Sequence, residues 1–334
     1  VSASLIIAPQ WLGDAVMTEP LLRRLAARGE RLTVAALPWV APVFEAMPQV
    51  SEIVPVPFAH GGLQWRERRQ VARQLQGRFD CAYVLPNSLK SALVPWLADI
   101  PRRVGYLGEA RVGLLTHRLK NPSKGRRPPM VALYSALSGQ SDLLGDRPQL
   151  RWDADRSAAS LRERGLLPRS YVVLAPGAEY GAAKRWPASH FAQVAREVGA
   201  PVVLLGSAKE RALCEEIASG AGPDCLNLAG QTRLGDALGW IAAARAVVSN
   251  DSGLMHVAAG LGLPQVAVFG SSSPEHTPPL NDRARVLWLK RDASYQPALD
   301  CAPCFERECP LGHTRCLHDI SAQQVLSALQ TLAL

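Results

Sequence analysis

The sequence predicts an α/β protein made of two Rossmann-like domains, 1–150 and 151–334, facing across a central cleft. Three observations predict it. Short apolar runs alternate with helical patterns along the chain, as parallel strands covered on both faces require. The alternation lapses in a turn-rich stretch and then restarts, and both halves open alike: Ile6-Ile7-Ala8-Pro9 and Val173-Leu174-Ala175-Pro176 each lead into a Gly-containing loop and a helix. The 334 residues, 48% of them hydrophobic, exceed one ordinary core and suit two domains of about 150 residues each.

In the first half, Leu5–Ala8, Leu32–Leu37, Ile53–Val56, Cys81–Leu85 and Arg103–Tyr106 read as strands. Helical patterns fill the gaps at Ala15–Ala27, Leu63–Gln76 and Ser88–Ala98. Thr116–Pro129, rich in Pro, Gly and basic residues, reads as a loop. A helix near Met130–Ser138 precedes the turn-rich Gly139–Pro148, where the domain boundary is expected. In the second half the strands are Tyr171–Ala175, Val202–Leu205, Cys225–Leu228, Ala246–Ser249, Gln265–Phe269 and Arg285–Leu289. Its helices are Pro187–Val198, Lys209–Ala218, Leu234–Ala244 and Ser252–Gly260. In such a pair of domains a ligand is expected beyond the carboxyl ends of the strands.

Charge narrows the partners. Residues 1–150 hold 19 Lys and Arg against 11 Asp and Glu, whereas the rest is balanced at 18 of each, so the net +8 belongs to the first half. An anionic partner or a solvated basic surface would each account for it. The N-terminal run lacks a basic flank and reads as a strand, no apolar stretch nears the ~20 residues of a membrane span, and seven cysteines are an odd set for a secreted disulfide framework. A cytoplasmic protein is expected.

Five segments offer chemistry. In Val247-Val248-Ser249-Asn250-Asp251-Ser252-Gly253-Leu254-Met255-His256 a buried strand turns directly into a helix. Ser252 and Gly253 stand at its N-terminus, where amides and dipole favour an anion, and His256 follows one turn on. The plain alternative is that Asp251 or Ser252 caps the helix. Pro176-Gly177-Ala178-Glu179-Tyr180-Gly181-Ala182-Ala183-Lys184-Arg185-Trp186-Pro187 is a Gly-containing loop whose Lys184 and Arg185 either neutralise phosphates or face solvent. It matches neither a Walker A loop nor GxGxxG. In Trp11-Leu12-Gly13-Asp14, Asp14 is either an N-cap or a general base. Asn87, Ser88 and Lys90 follow a strand end, and Arg66 and Arg69 share a helix face. Finally, Cys301, Cys304, Cys309 and Cys316 offer four thiols at metal-ligand spacing for a structural zinc, with free thiols or a labile disulfide as alternatives.

Together the motifs resemble those of the ADP-heptose:lipopolysaccharide heptosyltransferases, glycosyltransferase family 9. The resemblance rests on Ala8–Arg23, Tyr83–Trp96, Pro176–Pro187, Gly206–Glu210, Asn227–Thr232, Asn250–Pro264 and Ala267–Pro279. The WLGD form at Trp11–Asp14 is nearest the heptosyltransferase II branch, since the heptosyltransferase I motif usually reads RxGD. The resemblance implies a GT-B fold and an inverting transfer that needs no metal cofactor. The first domain would bind heptosyl-Kdo2-lipid A through Trp11, Gly13, Asn87, Ser88, Lys90, Arg66 and Arg69, with Asp14 as base. The second would bind ADP-L-glycero-D-manno-heptose through Gly177, Ala178, Glu179, Tyr180, Asp251, Ser252, Gly253 and His256. Lys184 would contact the donor phosphates, and Asn227–Thr232 would lie near the nucleotide. The C-terminal helix is a candidate to pack back on the first domain. The implied setting is the cytoplasmic face of the inner membrane, peripherally bound.

Other readings are heptosyltransferase I or III, another GT-B nucleotide-sugar transferase, or an epimerase. A nucleic-acid-binding module is disfavoured, because the basic residues come without aromatic-studded strands or zinc-finger spacing.

Overall fold

Apolar runs without polar alternation must be buried on both faces, and the chain places them in the middle of two sheets. The computed structural model describes residues 2–58, 61–122, 127–140, 146–153 and 155–332. It divides into two units, Val1–Arg151 and Trp152–Leu334.

The first unit runs β1 (Ala3–Ile7), α1 (Leu12–Met17), α2 (Glu19–Ala27), β2 (Arg31–Ala36), α3 (Ala41–Glu45), β3 (Val50–Pro55), α4 (Trp65–Leu75), β4 (Cys81–Val84), α5 (Leu89–Leu97), β5 (Arg102–Tyr106), β6 (His117–Leu119) and α6 (Met130–Ala136). Its sheet is wholly parallel, in the order β3-β2-β1-β4-β5-β6. Central Leu5 pairs with Thr33 on one side and Ala82 on the other. Leu5, Ile7, Ala82 and Val84 pack with Val71, Ala72 and Leu75 of α4 and with Ala92 and Val94 of α5. Helices α2 and α6 pack on one another.

The second unit runs α7 (Asp155–Glu163), β7 (Val172–Ala175), α8 (Ala188–Glu197), β8 (Val202–Leu204), α9 (Arg211–Ala221), β9 (Cys225–Asn227), α10 (Leu234–Ala242), β10 (Ala246–Asn250), α11 (Gly253–Gly260), β11 (Gln265–Val268), β12 (Ala284–Leu287), α12 (Arg315–His318) and α13 (Ala322–Gln330). Its parallel sheet has the order β12-β11-β10-β7-β8-β9, the same winding as the first. Val172, Leu174, Val248 and Val266 meet Phe191 and Val194 of α8, Ile217 of α9 and Val325 and Leu329 of α13. The C-terminal helix α13 packs on α8, β11 and β12 of its own unit. Among the described residues, no helix is long and apolar enough to cross a membrane.

Three expectations need correction. The helix foreseen at Ala15–Ala27 is two helices. Pro20 in the first turn of α2 has no N–H to continue the ladder from α1, and the Thr18 hydroxyl donates back to the Ala15 carbonyl at 2.7 Å. The loop foreseen at Thr116–Pro129 contains edge strand β6, whose exposed residues show no apolar signal; 123–126 lie outside the described residues. Helices α3 and α7 were not foreseen.

Candidate active site

Each sheet reverses its winding once, between β1 and β4 in the first unit and between β7 and β10 in the second. Loops leaving those strands diverge and leave room for a ligand. The four strongest motifs of the sequence leave these four strands.

In the first unit β1 leads to Trp11, the N-cap residue of α1, so Asp14 is not the cap; it lies in the first helical turn, where the dipole favours a carboxylate. The Asp14 Oδ1 accepts a hydrogen bond from the Tyr134 hydroxyl of α6 at 3.1 Å. Trp11 is 52% exposed and Gly13 half-buried. After β4, Ser88 is the N-cap of α5 and its Oγ accepts from the Ser91 amide at 3.3 Å, so this side chain has a structural task. Asn87 Oδ1 accepts from Arg111 at 2.9 Å.

Arg111, with no exposed surface, fastens this loop. Its guanidinium also donates to the carbonyls of Pro86 (2.6 Å) and Tyr106 (2.9 Å). Lys90 donates from Nζ to the Gly61 carbonyl. Arg66 and Arg69 are exposed on α4. Arg68 between them is buried, donates to the carbonyls of Leu63 and Lys90, and lies over the Phe58 ring at 4.2 Å. Other arginines of this unit also bond within it. Arg28 donates to the Ser138 carbonyl and Arg103 to those of Leu114 and Ile100, while Arg24 pairs with Asp146 at 2.8 Å.

In the second unit the β7 and β10 loops are joined by a short ion pair. Lys184 Nζ lies 2.5 Å from Oδ2 of Asp251, which is itself 6% exposed. Thr277 donates to the other carboxylate oxygen at 3.4 Å. Ser252 is the N-cap residue of α11, yet its side chain makes no capping bond and its buried Oγ has no protein partner among the described residues. The capping alternative for Asp251 and Ser252 therefore fails, and a hydroxyl and helix amides stand ready for an anion. His256, one turn into α11, is buried. Burial, outweighing the attraction of Asp251 and adding to the repulsion of Lys184, pushes its imidazole down to about 4, so it is neutral near pH 7.

The Pro176–Trp186 loop is held by the protein itself. Asn250, in the last position of β10, donates to the Pro176 carbonyl at 2.6 Å and accepts from the Trp186 amide at 3.0 Å. The glycines leave room for this packing. A Cβ on Gly177 would overlap the Glu210 carboxylate, and one on Gly181 would lie 2.8 Å from the Arg307 Cα. Ala178 is buried, Arg185 exposed, and Glu179 pairs with Lys209 at 2.7 Å on the surface. Tyr180 donates to the Phe305 carbonyl at 2.7 Å, and its ring lies 5.2 Å from the Lys184 Nζ. In the Asn227–Thr232 stretch, Asn227 Oδ1 accepts from the Ala229 amide at 3.0 Å, so this segment is closed on itself.

The cysteine loop braces the same region: the Ala183 amide donates to the Arg307 carbonyl at 3.0 Å. Cys301, Cys304, Cys309 and Cys316 line one small cavity together with His313, Ala183 and Ser271. All are free thiols. Among the described residues, however, no three of His, Cys, Asp and Glu stand as a group able to hold a metal ion. The spacing brings the four thiols to one cavity. For Cys309 burial raises the thiol, but the backbone amides of Thr314, Leu311, His313 and Gly312 outweigh it and hold the thiol below its ordinary range. Cys316 is pushed up to about 11 by burial and by the other three sulfurs.

Sequence reasoning missed Tyr134, Arg111, Asn250 and Thr277. Asn250 had a local signal, a polar residue ending an apolar strand. The others act across long chain separations and had none.

Two parallel Rossmann units, one carrying a carboxylate at its switch point and the other a cation, an orphan hydroxyl and a helix N-terminus, define a glycosyltransferase of the GT-B class. A model of glycosyltransferase family 9 (heptosyltransferase) matches residues 68–315, and the chain belongs to that family. It is 41% identical to lipopolysaccharide heptosyltransferase 2 of Escherichia coli, over 99% of this chain and 98% of the relative. Lipopolysaccharide heptosyltransferase 1 of Pseudomonas aeruginosa is 31% identical over 99% and 98%. The solved E. coli ADP-heptose LPS heptosyltransferase II superposes with a TM-score of 0.84 at 38% identity, covering 99% of this chain and 98% of that one.

Proposed function

We propose that the chain transfers L-glycero-D-manno-heptose from ADP-heptose to heptosyl-Kdo2-lipid A, with inversion at the anomeric carbon. The second unit binds the donor and the first the acceptor. The acceptor hydroxyl attacks the anomeric carbon while Asp14 takes its proton. The bond from that carbon to the β-phosphate oxygen breaks, and its electron pair leaves with ADP. A carboxylate of ordinary basicity suffices, because the hydroxyl acidifies only as the new bond forms.

The observation that carries the donor half is Lys184 paired to buried Asp251 beside the N-terminus of α11. Asp251 orients the ammonium, and the ammonium with the helix amides offsets the charge growing on ADP, a task that needs no metal ion in this scheme. His256, neutral and buried, packs beneath without adding charge. In the acceptor half, exposed Trp11, Arg66 and Arg69 suit a phosphorylated glycolipid, and Arg111 fixes the loop of Asn87 and Ser88. The enzyme would then work at the cytoplasmic face of the inner membrane, held there by surface charge.

Mass analysis of products tests the reading. ADP-heptose with heptosyl-Kdo2-lipid A should gain one heptose, and UDP-sugars should not compete. Transfer onto Kdo2-lipid A alone would mark a heptosyltransferase I. Asp14→Asn should lower kcat by about three orders of magnitude while ADP affinity by calorimetry stays put; near-normal turnover would remove Asp14 from the role.

A further inference from the structure

The base is not alone. We propose that Tyr134 is the positioning residue of the transfer reaction, its hydroxyl orienting the Asp14 carboxylate that takes the acceptor proton. This rests on the reading of Asp14 as base.

The geometry is specific. Tyr134 lies on α6, which packs against both α1, the helix of Asp14, and α2. Its side chain is 6% exposed and its hydroxyl stands 3.1 Å from Asp14 Oδ1, a donor directed at a carboxylate. The helix is anchored beside it, because Tyr106 at the end of β5 donates to the Leu133 carbonyl at 2.8 Å. A phenol fixed by two elements can hold a half-buried carboxylate in one rotamer, where water would let it turn. The hydroxyl also stays a donor at every working pH, since burial first and then the Asp14 charge raise its own ionisation far above the ordinary range.

The bond has two opposed effects on catalysis. Donation stabilises the carboxylate over the carboxylic acid, so the base remains ionised to lower pH. It also makes the base slightly weaker. Orientation must outweigh that loss for the arrangement to help, and the sign of the effect on kcat measures which prevails.

The test compares the full-length wild type, Tyr134→Phe and Asp14→Asn in the heptosyl transfer assay from pH 5 to 9, with ADP binding and thermal unfolding measured alongside. Tyr134→Phe should lower kcat about tenfold, move the acid limb of the kcat profile upward by about one pH unit, and leave ADP affinity unchanged. A merely structural tyrosine would not move that limb. Should Tyr134→Phe fold poorly, 3-fluorotyrosine placed at 134 keeps the shape with a stronger donor, and the limb should move downward. If Asp14→Asn is dead while both Tyr134 replacements leave kcat and limb as in the wild type, the role of Tyr134 is refuted and the base stands. If Asp14→Asn remains active, the base reading itself falls and takes this one with it.

Discussion

His256 should make the fold sensitive to acid in a way that a single substitution can isolate. In the unfolded chain the imidazole titrates at its ordinary value of 6.5, and in the fold at about 4. Its folded value is depressed because the ring is buried and burial opposes charge, with Asp251 offsetting part of this and Lys184 adding to it. Above pH 6.5 the ring is neutral in both states and contributes no slope. Between pH 6.5 and 4 the unfolded state takes up the proton and the folded state does not, so stability falls as the pH drops. At about 1.4 kcal/mol per pH unit the loss reaches about 3 kcal/mol by pH 4, a large share of the 5–15 kcal/mol that usually holds a domain. The assay is urea unfolding of the wild type and His256→Gln at half-unit steps from pH 4 to 8. Carboxylates titrate in both proteins and cancel in the difference. Any offset at pH 7 from the altered packing is constant across the series. Relative to the wild type it should gain about 3 kcal/mol on acidification, nearly all of it below pH 6.5. A difference curve that is flat from pH 7 to 4.5 would refute a buried neutral histidine.

Other outcomes follow from the same geometry. Lys184→Met should raise the KM for ADP-heptose and cost about 3 kcal/mol of stability, since it leaves the Asp251 carboxylate enclosed without its cation. Adding Asp251→Asn should recover most of the stability and none of the turnover, a split that a double-mutant cycle in urea and kinetics would reveal. Gly181→Ala should cost about 1–3 kcal/mol and weaken ADP binding several-fold, because its Cβ cannot pass the Arg307 backbone. Unaltered ADP binding by calorimetry would show that the brace does not reach the donor. Arg66→Glu with Arg69→Glu should reduce sedimentation with anionic vesicles by at least about 1 kcal/mol per residue, and equal partitioning would remove α4 from the membrane contact. Arg68 does not belong in that experiment, because it is buried.

What the sequence revealed and what it hid have physical causes. The strands were legible because a parallel sheet covered on both faces demands unbroken apolar runs, and Val202-Val203-Leu204 or Ala246-Val247-Val248 admit little else. Edge strand β6 was hidden because an exposed edge makes no such demand. The donor motif was legible because strand, polar turn and helix are contiguous in Asn250-Asp251-Ser252-Gly253. The ion pair that organises it spans residues 184 to 251 and leaves no local trace. The inward place of Arg68 was legible, since 68, 71, 72 and 75 form one helical stripe and the other three are the apolar face of α4. The basic count of the first half does not by itself separate inward arginines, such as Arg68 and Arg111, from exposed ones. An arginine donating to carbonyls inside a loop and one awaiting a phosphate are the same letter.

The loop from Pro176 to Trp186 is fixed by Asn250, by Phe305 and Arg307 of the cysteine loop, by the room Gly177 leaves for Glu210, and by the Lys184–Asp251 pair. Ordering a free backbone costs about 1–2 kcal/mol per residue, and here folding has already met that cost before any nucleotide arrives. On the proposed reading of this loop as the donor site, donor affinity then reflects contacts, without a disorder-to-order transition at the binding step. On that reading a substitution at Phe305 or Glu210, which hold the loop, can loosen nucleotide binding by returning entropy to it.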